Sequence, residues 1–396
     1  MNSLRTGNSA FPIAFLIACA TGAASAHAQW TATNLHNTLL ESRALGVDAT
    51  QVVGMQDWLG LTHAALWTGG PTTSRDLHAG DPDAYSLAFD VSQGKQVGYL
   101  EVDLVYRATM WSGTAGSRVD LHPTGALSST AYGIDAGQQV GTASFSAAVV
   151  ASLWTGTAAS WISLNPPGVT EAFAFGVGDG QQVGAADFAG KDHACLWTGS
   201  AASFVDLQPP LASESTALGA SDGQQAGWVK ISGLAHASLW SGSAASWIDL
   251  HPLIARSSFA QAVNNGVQVG DVGLTTAITH AALWRGSAGT WLDLHQFLPA
   301  DFRTSFARDV WTDGTSIRVV GFGLNTTTQR YEALLWTYAP PTCPADFNND
   351  GFLTFEDFDA FVVAFEAGEA RSDFNNDGFL TFEDFDAFVT AFEAGC

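Results

Sequence analysis

Residues 346–361 and 373–388 are the same sixteen residues, DFNNDGFLTFEDFDAF. In each copy, oxygen-bearing side chains recur at alternate positions before a Gly and continue beyond it. The first copy offers Asp346, Asn348, Asp350, the backbone carbonyl of Phe352, Thr354 and Asp357, with Gly351 at the turn. The second offers Asp373, Asn375, Asp377, the carbonyl of Phe379, Thr381 and Asp384, with Gly378 at the turn. Ligands at loop positions 1, 3, 5, 7, 9 and 12 around a Gly at 6 wrap a hard cation in oxygen. That many protein oxygens suit Ca²⁺, whereas Mg²⁺ keeps more of its water. Two copies predict two calcium ions. Position 12 is Asp rather than a bidentate Glu, so the loop must move inward to reach its ion.

One helix is expected after each loop. Thr354 can cap the first, with Asp357 three residues on as in a capping box. Phe355, Phe358, Phe361, Val362 and Phe365 then share one face, and Gly368 and Gly395 stand where the two helices should stop. The two Phe stripes can bury each other. A unit of this size has little core of its own, and calcium supplies part of what is missing. Cys343 and Cys396 bracket it. A disulfide between them would add roughly 4 kcal/mol in the chain-entropy picture.

Two loop–helix copies with Asp at position 12 resemble a dockerin. The opening Cys-Pro-Ala-Asp-Phe-Asn and the closing Gly-Cys resemble the GC-type dockerin of secreted bacterial proteins, over residues 343–396. The resemblance implies EF-hand-type calcium loops and non-covalent docking to a cohesin-like protein, often on a cell surface or a polysaccharide-degrading assembly. It also implies that loop positions 10 and 11 help choose the partner. These are Phe355 and Glu356 in one copy and Phe382 and Glu383 in the other, so two equivalent docking faces are expected.

The chain carries 15 basic and 38 acidic residues, a net charge of −23, and residues 343–396 hold 13 acidic residues against one basic. Nucleic acid and anionic membranes are therefore poor partners. Residues 1–28 read as an export signal: Arg5, an apolar stretch from Phe11 to Ala20, and Ala26-His27-Ala28 ahead of Gln29. A rival reading takes Leu16-Ile17-Ala18-Cys19 as a lipobox, with Cys19 the lipid anchor. The stretch is too short to span a bilayer, and no other membrane segment is expected. Outside the cytoplasm a disulfide persists. Cys195 takes a position filled by Ala or Ser in other repeats, which suits a buried apolar role.

Residues 29–338 repeat one unit: QVG or a variant, a Trp, then Asp-Leu-His or a variant. The markers are Trp67, Trp111, Trp154, Trp197, Trp240, Trp284 and Trp336, at steps of 43 or 44 except for a last step of 52. In one unit STALGAS and QQAGWVK flank Asp222-Gly223, a hairpin signal, and HASLWSG and SWIDLHP follow. Four short strands per unit, seven times over, predict a seven-bladed β-propeller. A solenoid or paired sandwiches is the alternative. The seventh unit lacks its last strand, and Trp30–His36 supplies a matching one ending Asn34-Leu35-His36, so the N-terminal strand is expected to complete the last blade. The unit also resembles, more loosely, the HAF-type extracellular repeat, which implies location and architecture and no activity.

His63, His193, His236 and His280 share one repeat position, and His78, His122, His251 and His295 another. A metal or acid/base role is one reading. A repeated His–Asp–Trp contact that satisfies buried polar groups is the reading adopted here. Departures from the repeat are Gln56-Asp57-Trp58, Glu101-Val102-Asp103, Lys191-Asp192, Lys230 and Arg303–Arg308. Trp58, Trp228 and Trp311 suit either blade packing or a sugar face. No catalytic motif such as GxSxG, HExxH or paired CxxC occurs in the chain. The expected organisation is a signal peptide (1–28), an all-β propeller (29–338), a Pro-rich linker (339–342) and a small α-helical dockerin-like domain (343–396). The expected role is secreted, non-enzymatic binding or scaffolding, with polysaccharide as one candidate ligand. A carbohydrate-active enzyme carried to a polysaccharide-degrading complex is the chief alternative, and a self-associating surface-layer component the third.

Overall fold

The structure is a computed structural model that describes residues 29–37, 40–58, 60–80, 83–339, 343–348 and 353–395. The expected signal segment 1–28 with Cys19, the linker residues 340–342, the loop residues Asp350 and Phe352, and Cys396 lie outside them. Two compact units are present, one of them Gln29–Pro340 and the other containing the residues from 341 onward. Ala339 ends the last strand, Arg330–Ala339, rather than beginning a linker.

The larger unit is a seven-bladed β-propeller of four-stranded antiparallel blades. A hairpin begins each blade, and in the second to sixth blades its turn is two residues of positive φ. Asp222 and Gly223 take φ of 53° and 72° between Glu214–Ser221 and Gln224–Ile231, the geometry that matches the strand twist. The Gly of each QVG is fixed by close approach. A Cβ on Gly98 or Gly184 would sit 1.8 Å from the carbonyl oxygen of Leu87 or Phe173 in the paired strand. The outermost strand is short, two residues in Ile248–Asp249, and a 3₁₀ turn leads into it.

The apolar core lies in the seams between blades. Trp111 of the second blade packs on Val53, Leu66 and Leu77 of the first. Trp154, Trp197, Trp240, Trp284 and Trp336 repeat that contact around the ring, each against the preceding blade. All seven Trp are fully buried. The seam between the last and first blades is filled by Trp67, Ala44, Val320, Ala333 and Leu335, together with Leu35. Gln29–Asn34 lies outermost in the last blade, antiparallel to Arg330–Ala339, with Asn34 opposite Leu334. Leu35 thus stands where Leu77, Leu121 and Leu250 stand in other blades.

The smaller unit contains two helices, α1 (Phe355–Glu366) and α2 (Phe382–Ala394). Both begin in a capping box: Thr354 with Asp357, and Thr381 with Asp384. Gly368 (φ 69°) follows the end of α1 and Gly395 (φ 77°) caps α2. The Phe361 and Phe388 rings stack at 4.0 Å with an interplanar angle of 4°. Phe347 meets Phe361 edge-on at 5.2 Å, and Phe374 meets Phe388 edge-on at 5.4 Å, so the packing repeats with the sequence. The fully enclosed apolar residues here are Ala345, Phe361, Ala364 and Phe388. No helix among the described residues is long and apolar enough to cross a membrane.

Candidate functional site

In the small unit the second loop is described throughout. Asp373 accepts the N–H groups of Asp377 (3.1 Å) and Gly378 (2.9 Å). Asn375 Oδ1 accepts that of Asp377 (2.9 Å), and Asp377 Oδ1 that of Phe379 (2.8 Å). Asp384 is fully buried and ties the two ends together, accepting N–H from Asn375 (3.1 Å) and Thr381 (2.8 Å). Those backbone donors hold its carboxyl below the usual range. Asp357 repeats this with Asn348 (3.1 Å) and Thr354 (2.8 Å). Burial opposes ionisation of Asp357, but the backbone donors prevail and its carboxyl also lies low. Both are therefore ionised at neutral pH, and neither has an ion-pair partner among the described residues.

The donor set is carboxylate, amide, hydroxyl and carbonyl oxygen, which fits a hard divalent cation. Among the described residues no three His, Cys, Asp or Glu side chains gather closely enough to hold a metal. Phe355 and Phe382 are 70% and 76% exposed, beside exposed Glu356 and Glu383. Cys343 is disulfide-bonded, and Cys195 is free and buried.

In the propeller the repeated histidines form a blade-to-blade relay. His63, His193, His236 and His280 contact Asp76, Asp206, Asp249 and Asp293 at 2.9, 3.0, 2.9 and 2.8 Å. Arg107 and Asp120 replace that pair in the second blade at 2.9 Å, and Glu332 with Asn34 in the last at 2.7 Å. His63 stacks on His78 at 4.0 Å and His236 on His251 at 4.0 Å. The second histidine then contacts a Ser of the next blade, as in His251 to Ser258 at 2.8 Å. That Ser accepts a backbone N–H from the blade before it, Ala237 to Ser258 at 2.8 Å. Burial first, and then the neighbouring histidine, push His251 and His295 below the usual histidine range, which suits neutral structural groups.

The expected His–Asp–Trp contact is corrected in its third member. Among the described residues, the indole N–H groups of Trp67, Trp111, Trp154, Trp197, Trp240 and Trp284 are buried without an acceptor, whereas the seventh, Trp336, donates to Leu294 O at 3.0 Å. The partner that sequence reasoning missed is the Ser. Where the fourth blade has Ala172 instead, Asn165 reaches back itself to accept the N–H of Ala151 at 2.8 Å.

A cavity of about 1110 Å³ lines the propeller axis. Its wall is built by the innermost strand of every blade, at a bulge where the pairing skips Leu45, Phe89, Tyr132, Phe175, Leu218, Gln261 or Arg308. Asp90 accepts N–H from Val91 (2.7 Å) and from Ile134 of the next blade (2.8 Å). Asp309 does the same with Val310 (2.8 Å) and Val47 (2.8 Å). Burial pushes Asp309 up to about 7, and burial followed by the charge of Asp309 pushes Asp90 well up. At the turn end Asp135, Asp179 and Asp222 accept N–H groups from Asp179, Asp222 and Asn265 in successive blades.

Of the departures from the repeat, Arg308 and Trp311 reach this cavity. Trp58 stacks on His63 (6.2 Å), Trp228 packs edge-on against Phe259 (6.0 Å), and Lys230 pairs with Glu214 (3.1 Å). The wall residues Phe89, Tyr132, Phe175 and Gln261 were not legible as a site, although aligning the repeats on the bulge brings them into one column.

No protein-family model matches this chain, and no curated protein matches it. Among solved structures it is similar to a puromycin hydrolase, at 12% identity and a TM-score of 0.50, over 76% of this chain and 56% of that one. It is also similar to a puromycin-hydrolyzing peptidase of Mycobacterium tuberculosis, at 13% identity and a TM-score of 0.50, over 78% of this chain and 53% of that one. This chain thus spans about half the length of those proteins. At such identity the likeness is one of fold, and the fold is the β-propeller.

Proposed function

We propose that this chain is an exported, non-enzymatic binding protein held in place by a dockerin-like calcium clasp. In this reading residues 1–28 direct export and the ring presents the binding surface. Residues 343–396 dock onto a cohesin-like protein or another cell-surface anchor. Two calcium ions would be held by Asp346, Asn348, Asp350, Phe352 O, Thr354 and Asp357, and by Asp373, Asn375, Asp377, Phe379 O, Thr381 and Asp384. The ions would supply charge balance and loop closure. Cys343 would pair with Cys396. Phe355 with Glu356, and Phe382 with Glu383, would form two equivalent docking faces.

The observation that carries this reading is the pair of buried carboxylates Asp357 and Asp384 in a unit whose fully enclosed apolar residues are Ala345, Phe361, Ala364 and Phe388. Two ionised groups in so small a core call for cations. Calorimetric titration of the full chain with calcium should give two ions bound, and Phe355→Ala with Phe382→Ala should leave that number unchanged while weakening attachment to a cohesin-bearing surface. Incubation of the full chain with insoluble polysaccharides should give retention without soluble products. Released oligosaccharide would contradict the non-enzymatic reading.

A further inference from the structure

The axial cavity has two unlike walls. Phe89, Tyr132 and Phe175 come from three successive blades, and their half-buried rings follow one another at 5.0 and 5.6 Å, inclined at 63° and 52°. Gln261 and Arg308 come from the sixth and seventh blades, across the ring from Tyr132. Arg308 is fixed in place. Its Nη1 lies 2.7 Å from Asp271 Oδ2, and its guanidinium sits over Phe306 at 5.5 Å and Phe322 at 5.1 Å. Gln261 Nε2 reaches the same carboxylate oxygen at 3.3 Å. Asp271, 5% exposed, thus acts as a positioning residue for both polar groups.

We propose that this cavity binds a neutral oligosaccharide, with the sugar's C–H face on the Phe89–Tyr132–Phe175 arc and its hydroxyl edge on Gln261 and Arg308. The inference rests on the reading of the ring as a binding unit and assigns it a place and a ligand class. Flat apolar rings facing convergent hydrogen-bonding groups are what a pyranose needs, one face apolar and one edge polar. The volume of about 1110 Å³ lies just above the usual range of small-molecule sites and admits a short oligosaccharide.

Charge narrows the class further. Asp90, Asp309, Asp135, Asp179 and Asp222 line the same cavity, and the guanidinium of Arg308 is already matched by Asp271. Burial favours the neutral forms of Asp90 and Asp309, but Asp135, Asp179 and Asp222 would still repel a uronate or sulfated chain there. An organic cation is disfavoured for a different reason. The Asp90 and Asp309 carboxyls, pushed up by burial, offer it little charge, and both oxygens of each are already engaged by backbone N–H groups.

The test is binding of neutral cello-, xylo- and manno-oligosaccharides by the full chain, beside oligogalacturonate and spermidine, with Tyr132→Ala and Gln261→Ala as variants. At least one neutral series should bind, and each variant should weaken it roughly tenfold or more. Thermal melting checks that each variant is folded. Gln261→Ala removes only an amide from the cavity wall and keeps the test open should Tyr132→Ala unfold. Equal binding by folded variants would remove the site from the cavity while leaving the ring a binding unit. Preference for oligogalacturonate or spermidine would overturn the ligand class. No binding by any neutral series would overturn the proposal, and retention on insoluble polysaccharide then decides separately whether the ring binds at all.

Discussion

In the ring, Asp309 accepts the N–H of Val47 from the neighbouring blade; in the tail module, Asp384 accepts N–H groups from both ends of its own loop. The first carboxyl is pushed up to about 7 by burial, and the second is held low by its donors. The same residue type therefore serves two ends. Asp309 joins two elements that seven apolar seams already hold. Asp384 keeps its charge inside a unit whose fully enclosed apolar residues are Ala345, Phe361, Ala364 and Phe388. Stability in the ring is spread over many Trp-centred contacts, whereas in the module it is concentrated on one stacked Phe pair and on whatever balances two buried charges.

That contrast can be broken at several points. The largest effect should come from deleting residues 29–37, which removes the outer strand of the last blade, Leu35 from the closing seam, and the Asn34–Glu332 pair. The ring should then lose its single cooperative melting transition; an unchanged melting curve would show that the strand is dispensable. Next is Phe388→Ala. Removing a fully buried ring costs about 3–5 kcal/mol, more than so small a unit can lose, so its helical signal should vanish while the ring melts as before.

Ser258→Ala should be milder. It leaves the buried N–H of Ala237 without its acceptor, at a cost of about 1–3 kcal/mol, and a Thr or Asn at the same place should restore part of that. Chemical denaturation of the ring would read it, and a change within error would show that the Ser link adds nothing.

The smallest effect is one of pH. The Asp309 carboxyl has its folded value raised above the ordinary 3.8, so the folded ring holds that proton more tightly than the unfolded chain. The stability it contributes is fully present below about 3.8 and is lost as pH rises to about 7. Asp309→Asn should therefore gain on the natural chain as pH is raised across that window. The comparison must be made as a difference, because His251 and His295, held low, pull the opposite way below the ordinary histidine value. A gap that does not change with pH would show that Asp309 does not titrate there.

The blades were legible because Trp, QVG and Asp-Leu-His recur at nearly constant spacing and each answers one steric demand. The Gly must admit a carbonyl oxygen, the Trp fills a seam, and the Asp meets its His. The Ser that completes each relay was not legible, because it lies seven residues after His251 but ten after His295, across a loop of varying length. Nor was the aromatic arc. Its column reads Leu45, Phe89, Tyr132, Phe175, Leu218, Gln261 and Arg308, and a column that varies is invisible to a search for what repeats. The capping boxes and the Phe361–Phe388 pair followed directly from the duplicated segment, since identical sequences on two helices can pack ring on ring.

The account turns on the tail module depending on bound cations and the ring not doing so. Circular dichroism and tryptophan fluorescence of the full chain, followed together as calcium is chelated, test this most directly. All the Trp lie in the ring and none in residues 343–396. The helical signal of α1 and α2 should be lost while the tryptophan emission stays unchanged, and both should return on adding calcium. Helices that persist in excess chelator would contradict the account.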